Sequence, residues 1–201
     1  MKRKLIGLVA AVAASLVMAT GASAESAEPK YGGTLKYASH NTTSTPGYTP
    51  DNSNNASLIF LNTAYESLTY YDESGAIIPR LATEWTTDPE EPSITWTLRE
   101  GVQFADGTDF NAEAVKVNIE EYQKCSRNET ANVASVEVID DYTVKMILNS
   151  WNSSTLESVG FFVYYMSPAA LEDVDSLRNS SCGTGAFQVS EFNPGVSVKY
   201  T

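Results

Sequence analysis

The sequence predicts an α/β fold, and three stretches carry that prediction. Ile94, Trp96 and Leu98 alternate with polar residues, which is typical of a half-buried strand. Asn111 then stands where a helix with an apolar stripe would begin, because its side chain can accept a hydrogen bond from an otherwise unpaired amide. Two further alternating runs, separated by a turn at residues 140–141, indicate a β-hairpin.

Four elements are expected ahead of that first strand. Residues 34–38 alternate in the same way and predict a strand. The polar stretch 39–55 predicts a loop, and loops of that length often line binding sites. Residues 56–68 place apolar side chains three or four apart, as on one face of a helix, and residues 81–85 predict a short turn of helix.

The C-terminal part is expected to mix helix and strand. The helix that Asn111 caps has a stripe that includes Val115, Ile119 and Tyr122. Residues 161–166 fit either a buried strand or part of a helix. Residues 187–200 predict two strands around a turn, and the last would end unpaired, so we expect an N-terminal fragment of a longer protein.

Residues 1–24 predict a secretory signal peptide. Three basic residues precede an apolar run from Leu5 to Val17, and the small triplet Ala22-Ser23-Ala24 follows. The run is shorter than the roughly 20 apolar residues that span a bilayer. We therefore expect cleavage near Ala24 and a secreted protein, periplasmic or extracytoplasmic, with no membrane insertion of the mature chain.

The charge balance argues against polyanionic partners. Cleavage after Ala24 removes three of the 13 Lys and Arg residues and none of the 25 Asp and Glu residues, which leaves a formal charge of −15. Nucleic acid and anionic lipid are bound chiefly through Lys and Arg. A nucleic-acid-binding function is therefore not expected.

Residues that carry chemistry are sparse. His40 is the only histidine, which excludes a histidine-rich metal site within this sequence, and a solvated loop residue is its simplest interpretation. No G-x-S-x-G elbow or phosphate-binding glycine loop occurs. We expect no enzyme activity, no catalytic residues, no metal and no cofactor. The alternative is a secreted hydrolase, an esterase or glycosidase, whose catalytic groups lie in a missing C-terminal part.

Six stretches of the chain together resemble a known family. They are YGGTLK, YESLTYYDESGAIIPRLATEW, ITWTLREGVQFADGTDFNAEAV, SVEVIDDYTVKMIL, SPAAL and GTGAFQVSEF. In this order they closely resemble the extracytoplasmic solute-binding proteins of family 5, which serve ABC importers of oligopeptides, dipeptides, nickel and related solutes.

The resemblance implies a periplasmic-binding-protein-like two-lobe clamp of type II (cluster C), of which this chain carries most of the first lobe. Residues 25–60 would begin the central sheet of that lobe. Residues 61–180 would form its inserted subdomain, and residues 181–201 would return to the sheet before the chain ends. The second lobe would be absent.

The resemblance also implies a function. The protein would capture di- or oligopeptides, or another small solute, and deliver them to the permease subunits of an ABC transporter; a nickel or haem receptor is the alternative within the family. Ser39, His40 and Asn41 would contact the ligand, and Tyr164 and Tyr165 would approach the same cleft.

The two cysteines outside the signal peptide, Cys125 and Cys182, leave two interpretations open. They could form a disulfide in an oxidising compartment, or remain as two thiols buried as small apolar groups. Cys182 stands where the family often has proline or an aliphatic residue, and this departure favours the bridge.

Overall fold

The computed structural model describes residues 32–40, 43–52 and 57–201, so the predicted signal peptide lies outside the described residues. Two compact units are distinguished, residues 1–38 and residues 39–201. The described part of the first unit contains no strand, and Leu35 and Tyr37 are exposed. The strand predicted over residues 34–38 is therefore wrong here, since a strand needs a hydrogen-bonded neighbour and none of the described residues supplies one.

The second unit holds the helices and strands of the described ranges. In chain order they are α1 (Leu58–Ala64), β1 (Thr69–Tyr71), β2 (Ile77–Pro79), β3 (Ala82–Asp88), β4 (Ser93–Leu98), α2 (Ala112–Lys124), β5 (Val133–Asp140), β6 (Thr143–Leu148), α3 (Ser154–Phe161), α4 (Val174–Leu177), β7 (Val189–Asn193) and β8 (Ser197–Tyr200). Short 3-10 turns cover Thr49–Asp51, Asn128–Thr130 and Ala170–Asp173.

A four-stranded antiparallel sheet in the order β3-β4-β6-β5 forms the centre of this unit. Ile94 lies opposite Met146, and Trp96 lies opposite Val144. All four side chains are fully buried, because alternation sends every second residue to the same face of a strand. The predicted strand over residues 94–98 and the predicted hairpin are thus confirmed.

Helix α2 begins and ends with recognisable capping interactions. The Asn111 Oδ1 accepts a hydrogen bond from the Ala114 N–H at 2.9 Å, which confirms the predicted cap. At the other end Ser126 adopts a left-handed conformation with φ 55°, and the Arg127 N–H donates to the Tyr122 carbonyl at 3.0 Å. This is the usual way to satisfy the last carbonyls of a helix, although glycine normally fills the left-handed position.

Three predicted elements differ from the structure. Residues 82–85 begin β3 and not a turn of helix, since they pair with β4 around a bulge between Ala82 and Glu84. Helix α1 ends at Ala64 because Tyr65 is extended, yet Tyr65 is buried as its apolar spacing predicted. Residues 162–167 form neither strand nor helix.

Two small antiparallel hairpins complete the described fold. Strands β1 and β2 form one, and β7 and β8 form the other around a turn that contains Gly195 at φ 72°. The predicted turn at residues 193–195 is confirmed. The division of the chain into a sheet segment, an inserted subdomain and a returning strand stays a prediction.

Candidate functional site

The predicted ligand-binding residues occupy different environments. Ser39 is half-buried and His40 is exposed, whereas Asn41 lies outside the described residues. Tyr164 and Tyr165 are 1% and 0% exposed. The side chains of the two tyrosines therefore belong to the core of this unit and do not form its surface.

Residues 164–167, called here the tyrosine segment, are irregular but firmly held. The Met166 N–H donates to the Asn118 Oδ1 at 2.9 Å, and the Asn118 Nδ2 donates to the Met166 carbonyl at 2.8 Å. The Tyr164 N–H donates to the Tyr122 hydroxyl at 3.1 Å. Side chains of α2 thus take the place of a neighbouring strand, which satisfies the buried backbone of a segment that has no regular structure.

The long loop reaches the tyrosine segment through Thr49. The Thr49 hydroxyl donates to the Tyr164 carbonyl at 3.1 Å and accepts from the Tyr122 hydroxyl at 2.9 Å. The Thr49 N–H also contacts the Met166 sulfur at 3.5 Å. Residues 43–52, which follow the predicted contacts Ser39 to Asn41, are therefore anchored on the tyrosine segment. Sequence reasoning missed Thr49 and Asn118, because nothing in their local pattern distinguishes them.

A second set of contacts, the Asp106 cluster, comprises Asp106, Thr108, Ser167 and Cys182. The Ser167 and Thr108 hydroxyls donate to the two carboxylate oxygens of Asp106 at 2.5 and 2.6 Å. Burial alone would raise the pKa of Asp106, but these hydrogen bonds outweigh it and lower the pKa to about 2. Burial and the nearby Asp106 charge raise the pKa of the Cys182 thiol to about 11.

The Asp106 cluster has the chemistry of a structural contact and not of a catalytic site. A carboxylate with a pKa near 2 is too weak a base to activate Ser167 at neutral pH. A thiol with a pKa near 11 stays protonated and is a poor nucleophile. The cluster instead ties the turn at Asp106 to the end of the tyrosine segment, in parallel with the backbone hydrogen bond from the Ser167 N–H to the Cys182 carbonyl at 2.9 Å.

The disulfide that the sequence left open as one of two interpretations is absent from the structure. Both cysteines are free thiols, Cys182 buried beside Asp106 and Cys125 exposed at the end of α2. The Cys125 sulfur lies 3.1 Å from the Tyr48 hydroxyl. Each thiol has its own polar neighbour, so of the two interpretations left open the structure shows free thiols, of which only Cys182 is buried.

A third set, the Arg80 cluster, comprises Asn62, Glu66, Tyr70, Arg80 and Thr184. The Arg80 Nε donates to the Glu66 Oε1 at 3.1 Å, and its Nη1 donates to the Asn62 Oδ1 at 3.0 Å. The guanidinium also lies over the Tyr70 ring, 5.1 Å from its centroid. The Thr184 hydroxyl donates to the other Glu66 oxygen at 2.8 Å. The cluster joins α1, the β1–β2 hairpin and the glycine turn at residues 183–185.

The Tyr164 side chain connects the tyrosine segment with the Arg80 cluster. Burial raises the pKa of its hydroxyl, and the smaller lowering effects of the Arg80 charge and of Asn62 do not offset it. Asn62 does not complete a hydrogen bond of normal geometry, so the buried hydroxyl has no hydrogen-bond partner among the described residues. The neighbouring Tyr165 ring instead packs edge-on against Phe110, with 5.7 Å between centroids.

The described ranges contain neither a cluster suited to a metal ion nor a helix suited to a membrane. Among residues 32–40, 43–52 and 57–201, no group of three or more His, Cys, Asp or Glu residues is placed to hold a metal ion. In the same residues, none of the helices has both the length and the apolar character needed to cross a bilayer.

Residues 76–201 match the family model described as bacterial extracellular solute-binding proteins, family 5 middle. The chain belongs to this family. The resemblance drawn from the six sequence stretches is thereby confirmed.

Relatives of known name and structure agree with this family. The glutathione-binding protein GsiB of Escherichia coli strain K12 is 33% identical over 142 residues, which are 67% of this chain and 28% of GsiB. The structure of NikA from Brucella suis in complex with Fe(III)-EDTA is 28% identical with a TM-score of 0.62, over 70% of this chain and 30% of NikA. An ABC transporter substrate-binding protein from Sinorhizobium meliloti is 29% identical with a TM-score of 0.58, over 70% of this chain and 29% of its own.

These neighbours confirm the predicted α/β, periplasmic-binding-protein-like fold class. The chain spans about 28% of the length of the curated relative and about 30% of the structural neighbours. The family is therefore established, while the activity of the whole protein is a matter for proposal.

Proposed function

We propose that this chain forms part of the first lobe of an extracytoplasmic receptor that captures peptides and delivers them to the permease of an ABC importer. The observation that carries the proposal is the way the tyrosine segment is built. Its backbone is fixed by Asn118, Tyr122 and Thr49, and the long loop is anchored on it. A receptor needs such a preorganised wall, because rigidity reduces the entropy lost on binding.

The polar clusters beside this wall favour binding over catalysis. The Asp106 cluster lacks a competent base and a reactive nucleophile, for the pKa reasons given above. The Arg80 cluster offers charged groups and hydrogen-bond donors, but no group suited to form a covalent bond with a substrate. A secreted hydrolase therefore finds no support in the described residues.

A peptide is the ligand class that the comparisons favour. GsiB, at 33% identity, is named for glutathione, which is itself a tripeptide. NikA from Brucella suis, at 28% identity, was solved with a metal chelate, so a chelated metal is the second candidate. In either case Ser39, His40 and Asn41 would contact the solute. The side chains of Tyr164 and Tyr165, being buried, would support the tyrosine segment from its core side.

A thermal-shift screen of the full-length gene product that contains this chain, without residues 1–24, tests the proposal. The probes are Ala-Ala-Ala, glutathione, the nickel–histidine complex and haem. A ligand at 100 times its dissociation constant stabilises the folded state by about 2.7 kcal/mol, so a peptide that binds raises the melting temperature by several degrees.

The outcomes of the screen separate the candidates. A rise with the peptides alone supports the peptide receptor. A rise with nickel–histidine or haem alone replaces the peptide by another solute of the same family. No rise with any probe, together with hydrolysis of a generic ester or glycoside, would contradict the receptor function.

A further inference from the structure

Three hydrogen bonds form a closed cycle, called here the hydrogen-bond ring, through Tyr164, Tyr122 and Thr49. The Tyr164 N–H donates to the Tyr122 hydroxyl at 3.1 Å, and the Tyr122 hydroxyl donates to the Thr49 hydroxyl at 2.9 Å. The Thr49 hydroxyl closes the cycle by donating to the Tyr164 carbonyl at 3.1 Å. The direction of each bond is fixed, because an N–H can only donate and a carbonyl can only accept. All three residues are at most 2% exposed, so the hydrogen-bond ring lies away from bulk solvent.

Residues 43–52 form one internally bonded loop that the hydrogen-bond ring anchors. The Asn52 Nδ2 reaches back across the loop and donates to the Thr45 carbonyl at 3.1 Å. The loop is also fitted closely at Gly47, because a β-carbon there would clash with the Ser180 carbonyl oxygen. A loop that is bonded within itself moves as a unit when one of its anchors is removed.

This loop limits where the predicted ligand contacts can lie. Thr43 follows Asn41 by two positions, and two residues of chain span at most about 7 Å. Fixing residues 43–52 therefore narrows the positions open to Ser39, His40 and Asn41. If the loop came loose, ligand binding would have to order it again, and the entropy lost would weaken the affinity.

We infer that Thr49 and Tyr122 are positioning residues, whose hydrogen-bond ring sets the affinity for the captured peptide without touching it. The inference rests on the proposed function, because it takes residues 39–41 as the contacts of the solute. Removing either hydroxyl leaves a buried backbone group of Tyr164 unpaired, the N–H in Tyr122→Phe and the carbonyl in Thr49→Val. Hydrogen bonds in a connected chain strengthen one another, so the loss of one member should remove most of the effect of all three.

The test measures dissociation constants for Ala-Ala-Ala and for glutathione by calorimetry, at a temperature where circular dichroism shows every protein folded. The proteins are the full-length gene product without residues 1–24, its Thr49→Val, Thr49→Ser and Tyr122→Phe variants, and the double variant Thr49→Val with Tyr122→Phe. Thr155→Val is the matched control. It makes the same change at another buried threonine, whose hydroxyl accepts from the Asn132 Nδ2 at 2.8 Å.

The inference predicts that Thr49→Val and Tyr122→Phe each weaken peptide binding by about tenfold. Thr49→Ser keeps the hydroxyl and should stay within about twofold of the unaltered protein. The double variant should bind at most about threefold more weakly than either single variant, whereas two independent losses would give about a hundredfold in total. Thr155→Val should lower the melting temperature and leave both dissociation constants unchanged.

Unchanged dissociation constants in Thr49→Val and Tyr122→Phe would overturn the positioning role and leave the receptor function standing. An equal loss of affinity in Thr155→Val would assign the effect to general destabilisation, and losses that multiply in the double variant would show two separate contacts; either result also overturns the inference. If Thr49→Val does not fold, Tyr122→Phe, which deletes a single oxygen, decides. Failure of the unaltered protein to bind either peptide removes the proposed function, and this inference with it.

Discussion

The central sheet and the C-terminal hairpin have the same kind of sequence pattern but different surroundings. In the sheet, Ile94, Trp96, Val144 and Met146 are fully buried between neighbouring strands and helix α2. In the hairpin the strands pair around an irregularity between Val189 and Glu191, yet no strand residue is fully buried and Val196 at the turn is 84% exposed. Alternation therefore predicts that a segment is extended, and only its neighbours decide whether its apolar face is covered.

The largest expected effect contrasts one residue from each region. Met146→Ala should lower the free energy of unfolding by about 3 kcal/mol, because it leaves a cavity in the packed sheet. Val196→Ala should change it by less than about 0.5 kcal/mol, since the side chain already faces solvent. Urea unfolding of the full-length gene product, followed by circular dichroism, measures both. Equal losses of unfolding free energy in the two variants would contradict the difference in burial between the sheet and the hairpin.

The contribution of the Asp106 cluster to the stability of the fold depends on pH. The folded pKa of Asp106 is about 2, below its ordinary value of 3.8, so the carboxylate stabilises the fold above pH 4. That contribution is lost as the pH falls from about 4 to about 2. Asp106→Asn should therefore be less stable at pH 7 and should lose less stability than the unaltered protein over this interval.

Acid titration of unfolding free energy for the two proteins provides the measurement. Glu137→Gln on strand β5 is the control, because Glu137 is an exposed carboxylate of the sheet. Parallel curves for Asp106→Asn and the unaltered protein between pH 4 and pH 2 would show that the hydrogen bonds to Asp106 do not hold this turn.

The smallest expected effect is a gain in stability at the end of helix α2. Ser126 has φ 55°, a conformation that glycine adopts without a steric cost. Ser126→Gly should raise the free energy of unfolding by about 0.5–1 kcal/mol. Ser126→Ala keeps a β-carbon and should give no gain. A gain in both variants would attribute the effect to the serine side chain and not to the backbone.

The predictable parts of the fold are those specified by neighbours in sequence. The strand at residues 94–98 follows from its alternation, and the start of α2 follows from Asn111. Residues 34–38 and 82–85 were misjudged because pairing across the sheet, and not local pattern, decides their structure.

The candidate site was harder to anticipate for the same reason. The Arg80 and Asp106 clusters each join residues from at least three separate stretches, so no short motif reveals them. The family resemblance drew attention to Tyr164 and Tyr165, but it could not show that their side chains would be buried. The partner of each cysteine likewise depends on tertiary packing, which spacing in the sequence does not encode.

Hydrogen exchange on the full-length gene product, with and without saturating Ala-Ala-Ala, tests the central claim most directly. The account predicts that the amides of Tyr164 and Met166 are protected in the free protein, because Tyr122 and Asn118 hold them. It also predicts that the amides of residues 39–41 gain protection when the peptide binds. Rapid exchange of the tyrosine segment in the free protein, or unchanged exchange of residues 39–41 at saturation, would contradict the assignment of this wall to the ligand site.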